Sequence, residues 1–338
     1  MAISVKNIKA MNKFNGKLFT GLKLGALFLA GCAIASLFWI YFLNKSNNIK
    51  PSEGRSTFTY HWINPLLECD LGSVISDEKL GVLKSDVQKF INSELKTDSS
   101  INQVSIYYRD LDNGPSFGIN ENTEFLPGSL FKVPVLLTLL YEAQKRPGLL
   151  EQKVIYEGGA PEIETHYPPL QKIEKGHTYT IGDLAERMIK YSDNEATLVL
   201  ANLLGDKISN IYTNLGLEKP VDENFFPMSV KNYSIFFRVL FNASYLNKDM
   251  SEAALGLLTT TTFDDGLRAG VPQEISVAHK FGEQISQDNQ QFQLHDCGIV
   301  YQTDHPYLLC IMSRGGNFNS LAKLISDISG FVYQQRKD

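Results

Sequence analysis

Ser129 and Lys132 are the residues of this 338-residue sequence whose types and spacing could do covalent chemistry. A serine and a lysine three positions apart share one face of a helix. Burial of the amine lowers its pKa until it can take the serine proton, and acyl transfer then needs no histidine. The same spacing recurs at Ser76/Lys79, Ser93/Lys96 and Ser320/Lys323, in or beside ordinary amphipathic stretches, where it reads as solvated pairs. Ser129 differs in its setting. Pro127-Gly128 places a sharp turn before it, and residues 133–140 after it are apolar all round, which marks a helix buried on every side. The serine would sit at a helix N-terminus, whose N–H groups favour a developing oxyanion.

Two further segments carry suitable polar groups. Ser192-Asp193-Asn194 lies between two helical patterns. Its hydroxyl and amide could relay a proton to a leaving nitrogen and hold a substrate amide, although all three residue types also cap the helix that follows. Lys280-Phe281-Gly282 closes a strand pattern over 274–280. A lysine there could attract a carboxylate, while Gly282 lets a substrate backbone approach an edge strand.

The ordered set S-x-x-K, S-D-N and K-x-G resembles that of the class A β-lactamases and related penicillin-binding proteins. The flanks agree: 180–184 leads into 191–197, and 266–272 precedes the K-x-G strand, so the resemblance covers the chain from about Ser76 to its C-terminus. It implies Ser129 as the acylated nucleophile, Lys132 as its base and Ser192 as the proton relay. Asn194 would contact the substrate side-chain amide, Lys280 the substrate carboxylate, and the N–H groups of Ser129 and Glu283 the oxyanion. The implied substrate is a β-lactam amide or the D-Ala-D-Ala-like end of a peptidoglycan stem peptide, with no metal or organic cofactor.

Two departures qualify that expectation. Phe281 stands where the family has a hydroxyl residue that donates to the substrate carboxylate, and Arg268 is a candidate compensating cation. Residues 216–228 are too few for the family's loop with its deacylating glutamate; Glu218, Asp222 and Glu223 are there, but no motif assigns them the role. Slow hydrolysis of the acyl-enzyme is expected. The rival expectation is a sensor or wall-binding module that keeps the fold and has lost hydrolysis.

The elements that must position these residues read as α+β. Helical spacing predicts helices over 76–95 (with Ser76 as a possible cap), 130–144, 180–190, 194–204, 207–215, 229–241, 251–258 and 321–334. Strand patterns cover 103–110, 116–119, 274–280, 292–301 and 307–313. Strands at both ends around a helical middle predict one antiparallel sheet with a helical lobe packed on it. His295 to Gly298 and Cys310 read as packing, and Cys69 and Cys297 could be bridged in an oxidising compartment.

Composition sets the remaining limits. With 43% hydrophobic and 20% charged residues the chain is globular rather than disordered. Residues 1–50 hold seven lysines and no acid, which leaves 25 basic against 37 acidic residues beyond them. So acidic a body has no footprint for nucleic acid. The uncharged residues 24–43 would span about 30 Å as a helix, the thickness of a bilayer core. Five lysines precede that stretch and two follow it, so residues 1–23 should stay cytoplasmic. Residues 44–57 read as a polar tether, and 58–338 as an outward-facing domain at the bacterial cell membrane. Leu29-Ala30-Gly31-Cys32 resembles a lipobox, but the apolar run after Cys32 favours a retained signal-anchor.

Overall fold

The computed structural model describes residues 60–65, 74–112, 114–159, 164–219, 226–286, 291–303 and 305–336, all within the compact unit Tyr60–Asp338. The stretch 24–43, the tether and Cys69 lie outside these residues. Among the described residues, no helix is long and apolar enough to cross a membrane.

In chain order the elements are α1 (Val74–Thr97), β1 (Ile101–Asp110), β2 (Ser116–Ile119) and β3 (Glu124–Phe125). A 3-10 turn, Gly128–Phe131, leads into α2 (Lys132–Lys145). Next come β4 (Lys153–Ile155), β5 (Thr178–Thr180), α3 (Ile181–Lys190), α4 (Asn194–Leu204) and α5 (Lys207–Asn214). β6 (Met228–Ser229), α6 (Val230–Phe241) and α7 (Lys248–Leu258) complete the helical middle. β7 (Val277–Ile285), β8 (Phe292–Val300), β9 (Tyr307–Gly315) and α8 (Phe318–Gln335) close the fold.

Five strands form one antiparallel sheet in the order β2-β1-β9-β8-β7, so both chain ends do share it. The period-2 alternation of β9 shows why the sheet is covered twice. Leu309 and Ile311 join the core under α1 and α8, which also takes Val87, Ile91, Leu324, Ile325 and Ile328. Leu308, Cys310 and Met312 face the opposite core, built with α2, Tyr233, Phe236 and Phe237. Helix α2 is buried almost throughout, as its unbroken apolar run requires. The helical lobe is therefore packed around α2, and the sheet edge β7 lies beside the 3-10 turn that precedes it.

Several boundaries differ from the sequence reading, each for a physical reason. Ser76 lies inside α1, which begins at Val74, so it is not the cap. Helix α7 starts at Lys248 because Asn247 Oδ1 accepts from the Met250 N–H, a cap that the apolar pattern of 251–258 does not reveal. Strand β7 continues five residues past Lys280, and Gly282 sits within it. Cys297 pairs with Cys310, not Cys69: the two face each other on β8 and β9 with Cα atoms 4.0 Å apart and are joined as a disulfide. The pairing follows from sheet register, which spacing along the chain does not disclose.

Candidate active site

The nucleophile candidate is held by its backbone. Gly128 has φ +53° and a side chain there would meet the Glu283 carbonyl at 2.2 Å; a side chain on Gly282 would meet the Pro127 carbonyl at 2.3 Å. Only glycines let the 3-10 turn press against β7 this closely. This is why Gly282 lies within a strand rather than ending it. The buried Tyr233 hydroxyl donates to the Leu130 carbonyl at 2.9 Å, fixing the turn from the α6 side. His295 Nε2 lies 3.0 Å from the Leu126 carbonyl, and its Nδ1 accepts from the Ser313 N–H, which sets the neutral tautomer with Nε2 donating. Burial pushes its pKa down to about 4.

Lys132 opens α2 and is 2% exposed. Its Nζ lies 2.8 Å from Ser129 Oγ, 2.7 Å from the Ser192 carbonyl, 2.9 Å from Ser192 Oγ and 2.7 Å from Asn194 Oδ1. Two of these partners, the carbonyl and the amide oxygen, only accept, and they take two N–H bonds. A neutral amine oriented by those two bonds keeps its lone pair for a hydroxyl. Burial brings the Lys132 pKa down from 10.5 to about 7, against the opposing charges of Asp193 and Glu283. The arrangement is that of an amine poised to deprotonate Ser129.

The turn Tyr191 to Asn194 is held by Asp193, which is fully buried. Its Oδ1 accepts from the N–H groups of Glu195 and Ala196, capping α4, while Oδ2 accepts from the Ile173 N–H at 2.8 Å. Ser192 adopts φ +58°, a left-handed conformation uncommon for serine. Asp193 thus caps α4, while Ser192 and Asn194 turn into the cluster around Lys132. Asn194 enters it through its carbonyl oxygen and so also positions Lys132.

Lys280 Nζ donates to Ser192 Oγ and to the Phe281 carbonyl, each at 3.0 Å, and lies 4.1 Å from the centroid of the Phe281 ring. It is fully buried, and burial, then the charge of Lys132, holds its pKa well below the usual lysine range. The Phe281 ring stacks on Phe263 at 4.2 Å, with Tyr167 edge-on at 5.9 Å.

The structure brings Ser129, Lys132, Ser192, Asn194, Lys280, Gly282 and the Glu283 backbone together. Arg268 does not join them. Its guanidinium donates to the carbonyls of Val271, Pro272 and Gln273, where three acceptors of its own loop hold it, and the expectation that it supplements Lys280 is withdrawn. Glu218 is exposed, and Asp222 and Glu223 lie outside the described residues. The sequence reading missed the Glu283 carboxylate, which accepts from the N–H groups of His166 and Tyr167 at 2.9 and 3.1 Å and pins that segment beside the cleft. It also missed Tyr233 and Tyr167, which no motif marks. Among the described residues, no cluster of three or more His, Cys, Asp or Glu side chains is set to hold a metal.

A serine and a buried lysine on one helical turn, with a second serine linking that lysine to Lys280 on the edge strand, are the arrangement expected of a serine hydrolase of the β-lactamase type. Residues 83–335 match the family model described as "Beta-lactamase enzyme family", and the chain belongs to that family of serine hydrolases. Over 104 residues it is 32% identical to the β-lactamase SME-1 of Serratia marcescens; the match takes in 30% of this chain and 34% of that protein, about a third of its length. Among solved structures, PBP-A is similar with a TM-score of 0.62 at 20% identity, covering 82% of this chain and 99% of that one. A β-lactamase from Chitinophaga pinensis gives 0.65 at 20%, covering 74% and 99%. At these identities the solved structures show the shared fold.

Proposed function

We propose that the protein cleaves an amide through an acyl-Ser129 intermediate and releases the acyl group slowly. The distance of 2.8 Å between Lys132 Nζ and Ser129 Oγ, with that amine buried, carries the reading. Lys132 takes the hydroxyl proton as Oγ bonds to the substrate carbonyl carbon, and the resulting oxyanion is met by the N–H groups of Ser129 and Glu283. The proton then passes from Lys132 through Ser192 Oγ, 2.9 Å away, to the leaving nitrogen as the C–N bond breaks. Water must finally attack the ester. Among the described residues, no carboxylate hydrogen-bonds to Ser129 or Lys132 to activate that water, which supports slow release.

The substrate is a β-lactam amide or a D-Ala-D-Ala-like bond of a peptidoglycan stem peptide, and slow release favours peptide processing or weak lactam hydrolysis. Residues 24–43 anchor the chain in the bacterial cell membrane with the domain outside. Incubation with a fluorescent penicillin, read by intact mass, tests the chemistry: a persistent adduct absent from Ser129→Ala is expected. Rapid nitrocefin turnover would exclude slow release. A full chain released from membranes by carbonate would exclude the anchor.

The second reading, a binding module without hydrolysis, rests on Phe281, whose ring covers Lys280. No adduct with any acyl donor, together with tight non-covalent binding of wall fragments, would establish it.

A further inference from the structure

We infer that this site selects acyl donors that are uncharged on the leaving-group side, and that Phe281 is the residue imposing that choice. The inference rests on the acyl-serine reading and narrows its donors to those whose leaving-group carboxylate is esterified, amidated or extended as a peptide.

Three cations that the sequence pointed to, Lys132, Lys280 and Arg268, are each already engaged. Lys132 Nζ has four polar partners within the cluster and is 2% exposed. Lys280 is fully buried; its ammonium donates to Ser192 Oγ and to the Phe281 carbonyl, and the Phe281 ring lies 4.1 Å away. Arg268 is held on three carbonyls of its own loop. A carboxylate entering beside Ser192 therefore finds none of these three as an exposed ammonium or guanidinium. Beside Lys280 it has aromatic neighbours instead of a hydroxyl donor: Phe281, buried and stacked on Phe263, with the partly exposed Tyr167 edge-on to both rings. An acid, Glu283, lies close enough to act on the charge of both lysines, and burial raises its own pKa. His166, exposed at the rim, is stacked on Phe318 at 4.7 Å.

An anion placed here would lose its hydration without gaining a charge-assisted hydrogen bond. An ester, a carboxamide or a continuing peptide chain loses far less, and its apolar part gains contact with the rings. Discrimination of this kind comes from what the site withholds from the wrong ligand.

The test compares matched donors on the whole protein: benzylpenicillin with its methyl ester, and an N-acyl-D-Ala-D-Ala with its C-terminal carboxamide. The measurement is the rate constant for Ser129 acylation, read by intact mass. The neutral member of each pair is expected to react as fast as the acid or faster. In Phe281→Thr, which uncovers Lys280 and supplies a hydroxyl donor, the acid should gain about tenfold or more over its neutral partner. An acid preference above about threefold in the wild-type protein would overturn the inference and leave the acyl-serine reading standing. Absence of an adduct from all four donors would remove both. The wild-type comparison stands even if the variant fails to fold.

Discussion

The Tyr233 hydroxyl donates to the main-chain carbonyl of Leu130, the residue next to the nucleophile, across 2.9 Å of buried space. A tyrosine of α6 thus helps to set the turn that aims Ser129. Tyr233→Phe removes the donor and leaves a buried carbonyl with one bond fewer, at a cost of about 1–2 kcal/mol. For a domain of this size the melting temperature should fall by about 2–8 °C. A melting curve that superimposes on wild type would show the bond to be idle.

Acylation should follow the titration of Lys132. Burial lowers its pKa from 10.5 to about 7, and only the unprotonated amine can accept the serine proton. The acylation rate should therefore rise with pH up to about 7 and level off above it. Lys132→Met should lose at least about a hundredfold in acylation. Single-turnover labelling across pH measures both, and a flat profile with unchanged amplitude would contradict the base assignment.

His295 gives a separate pH signature, in stability. Its folded pKa is lowered from 6.5 to about 4, so between those values the unfolded chain binds more protons than the folded one. Stability should fall as pH drops through that window and be indifferent to His295 above it. Thermal melting of wild type and His295→Gln across this range measures the effect; the variant should show the shallower dependence, and parallel curves would refute it.

Glu283→Ala removes the acceptor for the His166 and Tyr167 N–H groups. Hydrogen exchange at those two amides should accelerate by about tenfold or more, because bonds to a charged acceptor are the stronger kind. Exchange in β9 should stay unchanged. Equal acceleration in both places would mean general loosening instead of a local tie.

What was legible in the sequence is what is local. Ser129 and Lys132 occupy one turn, and Ser192 to Asn194 another, so spacing together with the Pro127-Gly128 turn and the apolar run after Lys132 displays them. The burial of α2 followed from its apolar run. The unread features join distant parts of the chain. Phe281 is explained by Phe263 and Tyr167, and Arg268 looked available until its loop folded back on it. Gly282 looked like a strand end because its reason, the close Pro127 carbonyl, comes from a distant part of the chain. The Cys297–Cys310 bridge needed the register of β8 against β9.

The sheet order β2-β1-β9-β8-β7 puts the last strand of the chain between its first strand and its site-bearing edge. During synthesis, then, the nucleophile turn exists long before the scaffold it leans on. The cleft closes only once residues 307–315 insert, a late, long-range event of the kind that makes folding slow. A message cut short before β9 would yield polypeptide with every motif intact and no working centre, because β1 and β8 would lack the strand that joins them.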